Sequence, residues 1–549
     1  MIDKEGVFPH TIPRFDGFAT HLITVKILVT DGIAPEGKSL LESASGIEPD
    51  IRSSIDADEL KKVIKNYDGV IIRSATKITA DIIDAADGSL KVIGRAGIGV
   101  DNVDIEAATR SGIVVMNTPE ANAVTTAEHA IALMFSAARK VPQAHLSTSG
   151  GKWERGKFKG VELFGKTLGL IGLGTIGKLV AERAAGLKMT PVAFDPFLAP
   201  EAAEKMGVKL ADLDETLSTA DVITIHAPLT PQTKNMIDTE AIAKMKDGAI
   251  LINCARGGIV DEDALCAAVE SGKLAGAALD VFTSEPPESG SAILKSGVVL
   301  TPHLGASTAE AQEKVGAAIA RQIIDFSGGV VKNAVNMPSL DAAEAESISP
   351  YMNLAEKMGA FLAQTCTGAS KVKVEYRGDI AQSNTKVLSL SVLQGFLSKV
   401  MNKTVTQVNA PVIAKDRGIE VVEAKNTASG DYTNLITASV SAPEGKRSVS
   451  GVIFGRQEPR FVKVDGVPLD VAPEGILLIS ENHDKPGLIA GMCGIISAAG
   501  INIARMHLGR EAVGGRAIVF TNVDSPVSEA EIEKIAALEG IISITQVTL

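Results

Sequence analysis

The chain has 549 residues, a formal net charge of −12 and 45% hydrophobic residues. It is too long for one hydrophobic core, so we expect three or four domains. It has no block of basic residues, which argues against nucleic acid or an anionic membrane as its main partner. An anionic substrate must therefore be bound by a few local arginines.

The four cysteines are scattered and form no CxxC pair. This pattern favours reduced thiols in a cytoplasmic compartment and argues against a structural zinc site. No run of about 20 apolar residues predicts a transmembrane helix. Residues 1–24 contain acidic side chains and lack the apolar core of a signal peptide, so they are interpreted as an N-terminal extension.

From residue 25 onward, short apolar runs alternate with helical patterns, which predicts an α/β fold with a mostly parallel sheet. The first predicted strands are Val25–Asp31, Asp68–Arg73, Leu90–Gly94 and Ile113–Met116. A long helix is predicted over Thr125–Arg139. The alternation then restarts and predicts a doubly wound nucleotide-binding sheet. Its six predicted strands are Thr167–Gly172, Pro191–Phe194, Asp221–His226, Ala249–Asn253, Ala275–Val281 and Val298–Thr301.

A boundary is predicted near Pro338–Pro350, followed by an α+β domain over residues 340–472 with strands at Val372–Tyr376 and Ile419–Ala424. Thr427, Ser429, Gly430 and Asp431 are interpreted as loop residues. The order of the elements over residues 476–549 is βαββαβ, which predicts a ferredoxin-like domain. Its predicted elements are Ile476–Ser480, Gly487–Ala499, Asn502–Leu508, Ala517–Val523, Ser528–Ala537 and Ile541–Thr548.

A G-x-G-x-x-G motif follows a predicted strand and opens a helix, which is the context of a dinucleotide-binding turn. Gly172 permits the tight turn, Gly174 lets the backbone approach a pyrophosphate, and Gly177 lets helix and strand pack closely. Asp195 ends the next strand, where a carboxylate accepts bonds from ribose hydroxyls and repels the 2′-phosphate of NADP. The sequence therefore favours NAD. Weaker candidates for cofactor contact lie at a later strand end, namely His226, Ala227, Pro228, Thr230 and Pro231.

Three predicted strand ends carry the residue types that oxidation of a 2-hydroxy acid requires. His303 is the candidate acid/base, because imidazole exchanges protons near neutral pH. Glu285 is placed to bond the other ring nitrogen, and Arg256 to bind the substrate carboxylate with its planar fork. With Arg256 supplying the electrophilic charge, no metal is required. His226 competes for the role of base, whereas His129, on an apolar helix, is interpreted as a packed interior residue.

The strings GLGTIG, NCARGGIVDE, AALDVFTSEPP and TPHLGAST resemble the D-2-hydroxyacid dehydrogenase family. The strings IRSATK, GRAGIGVDNVD and GKWER are similar to its phosphoglycerate dehydrogenase branch. The resemblance covers residues 25–330 closely. It implies an Arg256, Glu285 and His303 triad and a nucleotide domain, residues 126–301, inserted into a flavodoxin-like catalytic domain formed by residues 25–125 and 302–335.

The resemblance also implies the remaining site residues. Substrate binding is expected at Arg73, Ser74, Ile98, Gly99, Arg155 and Arg256, with Arg155 reaching over from a neighbouring subunit. Cofactor binding is expected at Gly172, Gly174, Thr175, Ile176, Gly177, Asp195, Ala227, Cys254, Ala255, Arg256, Asp280, His303, Gly305, Ala306 and Ile98. A homodimer or homotetramer is expected.

Residues 476–549 resemble an ACT regulatory domain on the strings NHDKPG and GINI. Relatives bind L-serine between two ACT domains, which transfers an effector role to Asp484 and Asn502, although an ACT domain that serves only assembly is the alternative. Residues 340–472 resemble the intervening domain of the long-form enzymes.

The implied reaction is NAD-dependent oxidation of 3-phospho-D-glycerate to 3-phosphohydroxypyruvate, which opens serine biosynthesis. The alternatives are reduction of hydroxypyruvate or glyoxylate, a non-enzymatic NADH-sensing corepressor on the same fold, and an amino-acid-binding protein with vestigial catalysis.

Overall fold

A computed structural model describes residues 24–428 and 430–549. Residues 1–23 of the predicted extension, and Ser429 of the predicted loop, lie outside the described residues. The described chain contains four sheets, joined in an order that matches the alternation of predicted elements.

The first sheet is parallel and has the strand order β2-β1-β3-β4-β5, which is that of flavodoxin-like folds. Each predicted strand of this region is present, and Ile47–Ile51, which was not predicted, forms the edge strand. The strands are β1 (Val25–Val29), β2 (Ile47–Ile51), β3 (Gly69–Ile72), β4 (Val92–Arg95) and β5 (Val114–Met116). The helices are α1 (Pro35–Ser43), α2 (Ala57–Val63), α3 (Ala80–Ala85) and α4 (Ile105–Arg110).

The second sheet has seven parallel strands in the order β12-β11-β10-β9-β6-β7-β8, a doubly wound arrangement whose order reverses between β6 and β9. The seventh strand, β8, is only two residues long and was not predicted. The strands are β6 (Thr167–Ile171), β7 (Thr190–Phe194), β8 (Lys209–Leu210), β9 (Val222–Ile225), β10 (Ala249–Asn253), β11 (Leu274–Leu279) and β12 (Val299–Leu300). The helices are α5 (Ala123–Arg139), α6 (Val141–Ser149), α7 (Thr175–Gly186), α8 (Pro200–Glu204), α9 (Leu213–Thr219), α10 (Thr239–Lys244) and α11 (Glu262–Glu270).

After β12 the chain returns to the first sheet through helix α12 (Ala309–Ser327). Its buried side chains, including Ile319 and Ile323, join the core formed by Ile27 and Val92. The nucleotide domain is therefore inserted into the first domain, as predicted. The residue boundaries given above for each domain stay a prediction.

The third domain packs helices against a mixed sheet of order β14-β13-β15-β16-β17-β18. Its helices are α13 (Ala342–Thr365), α14 (Thr385–Val400) and α15 (Ala410–Asp416), and its strands are β13 (Lys371–Gly378), β14 (Glu420–Asn426), β15 (Asn434–Ala442), β16 (Gly445–Phe454), β17 (Glu458–Val464) and β18 (Val467–Val471). The predicted boundary near Pro338–Pro350 runs into α13, which contains Pro350. Burial of Leu354, Met358 and Leu362 on this helix offsets the hydrogen bond that proline removes.

The last domain has the predicted βαββαβ order and an antiparallel sheet of order β20-β21-β19-β22. Its elements are β19 (Ile476–His483), α16 (Leu488–Ala498), β20 (Ile503–Arg510), β21 (Arg516–Val523), α17 (Glu529–Ala536) and β22 (Ile541–Thr548). One face of this sheet packs on α13, because Phe361 stacks on Phe520 with ring centroids 6.0 Å apart. The third and fourth domains therefore share one hydrophobic core.

The third domain also packs on the first. Val408 is buried in the core beneath the first sheet. The Thr406 hydroxyl donates to the carbonyl of Gly112 at 3.3 Å, and Arg110 pairs with Asp416 at 2.9 Å. All four cysteines are unpaired, as expected from their scatter. Within the described residues, no helix combines the length and apolar character that crossing a membrane demands.

Candidate active site

His303 and Glu285 form a hydrogen-bonded pair at the carboxyl edge of the nucleotide sheet. Nδ1 of the imidazole lies 2.7 Å from Oε2 of Glu285. The other carboxylate oxygen accepts the Phe282 amide at 3.1 Å. Burial raises the pKa of Glu285, but the hydrogen bonds from His303 and Phe282 outweigh it and hold this pKa below its ordinary value. An ionised carboxylate thus stands beside Nδ1 of His303.

Asp280, which ends β11, holds the loop that carries His303. Its carbonyl accepts the His303 amide at 2.9 Å. Its carboxylate accepts the amides of Leu304 and Gly305 at 2.7 and 2.8 Å and the Thr301 hydroxyl at 2.6 Å. Burial raises the pKa of Asp280, yet hydrogen bonds from His129, Thr301 and the Leu304 amide keep it below its ordinary value. The loop is held although His303 has a φ of 54°, a conformation that non-glycine residues rarely adopt.

A cavity of about 380 Å³ opens in front of this pair. Among the predicted residues it is lined by Glu285, His303, Ala306, Arg73 and Ser74. The base and two predicted substrate-binding residues, which lie more than 200 residues apart in the chain, therefore face one space.

The loop that begins at Arg73 is fixed by its neighbours. The Asp31 carboxylate accepts the amides of Arg73 and Thr76 at 2.7 and 3.2 Å. The Asn102 side-chain amide donates to the carbonyls of the same two residues, each at 2.6 Å. These contacts orient the loop, so that Arg73 and Ser74 are presented to the cavity.

Sequence reasoning did not assign four further polar residues of the cavity, which are Arg95, Asn122, Ser307 and Gln312. Burial lowers the pKa of Arg95 to about 10, and the nearby charge of Arg256 acts in the same direction. The Arg95 Nε and the Asn122 Oδ1 are buried without a hydrogen-bond partner among the described residues. Arg95 lies in the GRAG string that carried the resemblance, and its position at the end of β4 was the signal that could have found it.

Arg256 lies beside the cavity rather than among the residues that line it. Its Nε donates to the Asp101 carboxylate, and its guanidinium covers Gly99 so closely that a Cβ there would lie 1.6 Å from Nη2. The Arg256 carbonyl accepts the side-chain amide of Asn253 at 2.9 Å, which fixes the loop after β10. Arg256 and Gly99 thus meet across the cleft between the first two domains.

The glycine motif has the geometry that a dinucleotide requires. Gly172 has a φ of 95°, and a Cβ there would lie 2.5 Å from the carbonyl of His226. A Cβ on Gly177 would lie 2.3 Å from the Gly172 carbonyl, whereas the space around Gly174 is open. Helix α7 begins at Thr175 with no side-chain cap, so its first amides are free to bind an anion. The residues present therefore fit NAD.

Asp195 follows β7, and its carboxylate accepts the amides of Leu173 and Phe197, both at 2.9 Å. It is thereby fixed beside the glycine turn. The other predicted cofactor residues lie in segments that follow neighbouring strand ends or open α7: Ile176, Ala227, Cys254, Ala255, Gly305, Ala306 and Ile98. The role of each residue stays a prediction.

His226 and His129 both bond neighbouring polar side chains. The competing base His226 is bonded to the Thr224 hydroxyl at 3.0 Å, and burial lowers its pKa to about 4. This does not favour it as the base. His129 is more than a packed interior residue, because its Nε2 lies 3.1 Å from the Asp280 carboxylate and 3.2 Å from the Thr301 hydroxyl.

Three predicted residues are not brought to their expected sites within one chain. Arg155 is exposed and is not among the residues that line the cavity. Asp484 follows the last residue of β19, which pairs with Arg516 at the start of β21. Asn502 precedes the first residue of β20, which pairs with Val523 at the end of β21. Asp484 and Asn502 therefore lie at opposite ends of the sheet. Asp484 is bonded to Arg510 at 2.9 Å, and Asn502 to Asp524 at 2.8 Å.

Comparisons with known proteins agree with this geometry. Residues 131–305 match the family model described as "D-isomer specific 2-hydroxyacid dehydrogenase, NAD binding domain". Residues 347–465 match the "D-3-phosphoglycerate dehydrogenase intervening domain", and residues 476–540 match the ACT domain. The chain is similar to an NAD complex of an NAD-dependent formate dehydrogenase from Staphylococcus aureus, with 31% identity, a TM-score of 0.51, and coverage of 57% of this chain and 100% of that one.

Curated relatives extend the likeness over almost the whole length. The D-3-phosphoglycerate dehydrogenase of Methanocaldococcus jannaschii is 42% identical over 528 residues, which are 96% of this chain and 100% of the relative. That of Archaeoglobus fulgidus is 43% identical over 530 residues, with the same coverage. With a histidine–glutamate pair, a dinucleotide turn and all three matched domains in one polypeptide, the chain belongs to the D-3-phosphoglycerate dehydrogenase family.

Proposed function

We propose that the chain oxidises 3-phospho-D-glycerate to 3-phosphohydroxypyruvate with NAD, the step that commits carbon to phosphorylated serine biosynthesis. The observation that carries this proposal is the shared cavity, in which the His303–Glu285 pair faces Arg73, Ser74 and Arg95. A base and a group of cations within one space suit a hydroxy acid that bears a phosphate.

His303 takes the proton of the substrate hydroxyl. Glu285 accepts a hydrogen bond from Nδ1, so that Nε2 is left without its proton and is directed to the substrate. As the imidazole becomes positive, the ionised Glu285 stabilises it. Bound NAD supplies the hydride acceptor, and the free amides at the start of α7 and the Asp195 carboxylate are the groups that would hold it.

Arg256 binds the substrate carboxylate and polarises the developing carbonyl. Its guanidinium lies directly over Gly99, where any side chain would take its place. A substrate carboxylate at this cleft would pair with that cation through its planar fork.

Arg73, Ser74 and Arg95 bind the phosphate. Arg95 is half-buried, and its Nε atom is buried without a partner among the described residues. This supports the role, because leaving a buried donor without a partner costs free energy that an anionic ligand recovers. Both arginines line the same cavity.

The test follows NADH absorbance with purified protein and compares 3-phospho-D-glycerate with D-glycerate, and 3-phosphohydroxypyruvate with hydroxypyruvate and glyoxylate. We expect strong preference for both phosphorylated compounds. Equal turnover of the unphosphorylated acids would contradict the substrate assignment but leave the dehydrogenase assignment intact. No turnover of any acid would contradict both.

We further propose a homo-oligomer, a dimer or tetramer, in which Arg155 reaches the cavity of a second copy. Helix α6 has no buried residue, and apolar side chains are exposed on it and just after it, at Val141, Leu146 and Trp153. An apolar surface of this kind marks an interface. Arg155 follows directly, so pairing of two copies through this surface carries it towards the partner.

L-Serine is the proposed effector of the ACT domain. Since Asp484 and Asn502 lie at opposite ends of one sheet, a site that uses both requires two ACT domains in antiparallel contact. Serine titration of NADH formation by the wild-type chain tests this role, and an Asp484→Ala variant should lose any inhibition while keeping its uninhibited rate.

A further inference from the structure

We propose that His129 is a positioning residue for the catalytic histidine, acting through Asp280. His129 lies on α5, and Asp280 follows β11, 151 residues further along the chain. This inference rests on the proposed function, because it takes His303 as the base.

The contact is directional. Nε2 of His129 lies 3.1 Å from Oδ1 of Asp280 and 3.2 Å from the Thr301 hydroxyl. An ionised carboxylate only accepts hydrogen bonds, so Nε2 carries the proton and donates it. The His129 side chain is 18% exposed and that of Asp280 is 1% exposed, so water competes little for this bond.

The same carboxylate oxygen accepts the amide of Leu304, and the other oxygen accepts that of Gly305. These two amides directly follow His303, whose backbone has a φ of 54°. A residue in this region persists only when its surroundings hold it there. Asp280 provides that hold, and it does so only while its own side chain keeps one orientation.

His129 and Thr301 both bond Oδ1 of Asp280, and of these two His129 alone comes from outside the loop segment. Without the His129 donor, the Asp280 carboxylate keeps the Thr301 hydroxyl but loses its link to α5. The loop then samples positions in which Nε2 of His303 no longer points to the substrate hydroxyl. Because small misplacements of a catalytic group lower the rate more than they lower binding, kcat should fall and KM should not change.

The variants are His129→Leu, which removes the donor at similar volume, and His129→Gln, which retains an N–H donor. Glu128→Gln is the matched control, because it lies one residue away on the exposed face of α5. We expect His129→Leu to lower kcat about 10-fold, which corresponds to one lost hydrogen bond, with both KM values within about twofold. His129→Gln should recover most of the rate, and Glu128→Gln should match the wild type.

Two further measurements separate positioning from general destabilisation. The primary isotope effect with C2-deuterated substrate should rise in His129→Leu, because the chemical step becomes slower than product release. Hydrogen–deuterium exchange of the peptide over residues 301–307 should accelerate in His129→Leu and not in His129→Gln, at equal thermal midpoints.

Unchanged kcat and unchanged exchange in His129→Leu would overturn the proposal. So would an equal loss in both variants accompanied by a lower midpoint, because that result indicates a structural role only. If the wild type does not turn over the phosphorylated substrate, the proposed function fails, and exchange of residues 301–307 alone still decides whether His129 holds the loop.

Discussion

The carboxylate of Asp101 pairs with the guanidinium of Arg256 across the cleft between the first two domains. Asp101 belongs to the first domain and is 57% exposed, whereas Arg256 follows a strand of the nucleotide sheet and is 26% exposed. The pair places a protein carboxylate at the cation that we assign to the substrate carboxylate. It also joins the two domains in the absence of substrate.

Asp101→Asn should therefore strengthen substrate binding. Removal of the negative charge frees Arg256 for the incoming acid. We expect the KM for the acid to fall about fivefold at low ionic strength. The fall should be smaller at high salt, because salt screens an exposed ion pair. Steady-state kinetics at two salt concentrations measure this. Asp81→Asn, in the same domain and 79% exposed, is the control. A higher KM with lower kcat would instead mean that Asp101 holds Arg256 in its working orientation.

Glu285→Gln should slow oxidation and change its pH dependence. The lowered pKa of Glu285 keeps its carboxylate ionised, and that charge stabilises the imidazolium formed when His303 takes a proton. Without the charge the imidazole holds its proton less tightly. We expect kcat to fall about 100-fold and the acid limb of the rate profile for oxidation to move to lower pH. Rates from pH 5 to 9 test this, and an unmoved limb would contradict it.

Arg95→Met should impair recognition of the phosphate rather than catalysis. Loss of a buried charge-assisted bond predicts a rise of about 100-fold in the KM for 3-phospho-D-glycerate, with D-glycerate affected little. The ratio of kcat/KM for the two acids is the measurement. Arg321→Met, on the exposed side of α12, should leave the ratio unchanged. An equal loss on both acids would remove Arg95 from the phosphate site.

Asp195→Ser should relax the choice of cofactor. The carboxylate is fixed by the Leu173 and Phe197 amides, at a position where it repels a 2′-phosphate. We expect the ratio of kcat/KM with NADP to kcat/KM with NAD to rise at least tenfold. A tenfold change corresponds to a difference of about 1.4 kcal/mol in transition-state binding between the two cofactors. Asp247→Ser, a surface change in the same domain, is the control. A constant ratio would place the determinant of cofactor choice elsewhere.

Glu481→Gln should destabilise the contact between the third and fourth domains. Glu481 is 11% exposed and pairs with Arg447 and Arg516. Burial raises its pKa, but the two arginines outweigh burial and lower it overall. A carboxyl group whose pKa is lower in the folded than in the unfolded state stabilises the fold when it is ionised. That stabilisation is fully present above the unfolded-state pKa of about 4.3 and is lost as the pH falls through the lower, folded-state pKa.

We expect Glu481→Gln to cost about 2 kcal/mol at pH 7, since the half-buried Arg447 and Arg516 each lose a carboxylate partner although Asp465 and Glu511 remain beside them, and to reduce the acid dependence of stability below about pH 4.3. Urea unfolding at pH 7 and at pH 3.5 measures both effects. Glu539→Gln, whose side chain is 93% exposed, is the control. An equal loss of stability at both pH values would argue against the titration of Glu481.

Much of the site could be predicted because the carboxyl ends of parallel strands meet at one edge of a sheet. That rule brought Glu285 and His303 together from sequence. It did not single out Arg95, since its position at the end of β4 and in the GRAG string marks an arginine there but does not separate a half-buried guanidinium from a surface charge. It also missed His129, because its partner lies 151 residues away in the chain.

The fold was predictable where its signals are local. The alternation of apolar runs indicated both parallel sheets, but the two-residue β8 is too short to leave a pattern. The stretch Pro338–Pro350, with many Ala, Glu and Ser, suggested a boundary, yet most of it lies in α13, whose buried side chains hold the helix together through Pro350. The opposite placement of Asp484 and Asn502 depends on strand pairing, which the order of elements alone does not reveal.

The seating of Val408 in the core beneath the first sheet has a thermodynamic consequence. Val408 belongs to the third domain, which also shares a core with the ACT domain. Packed side chains of the third domain therefore connect the ACT domain to the first domain. An effector that favours one cleft geometry must then lose affinity when substrate favours another, by the same factor in each direction. Effector binding measured with and without substrate would therefore give the coupling free energy between the ACT domain and the cleft.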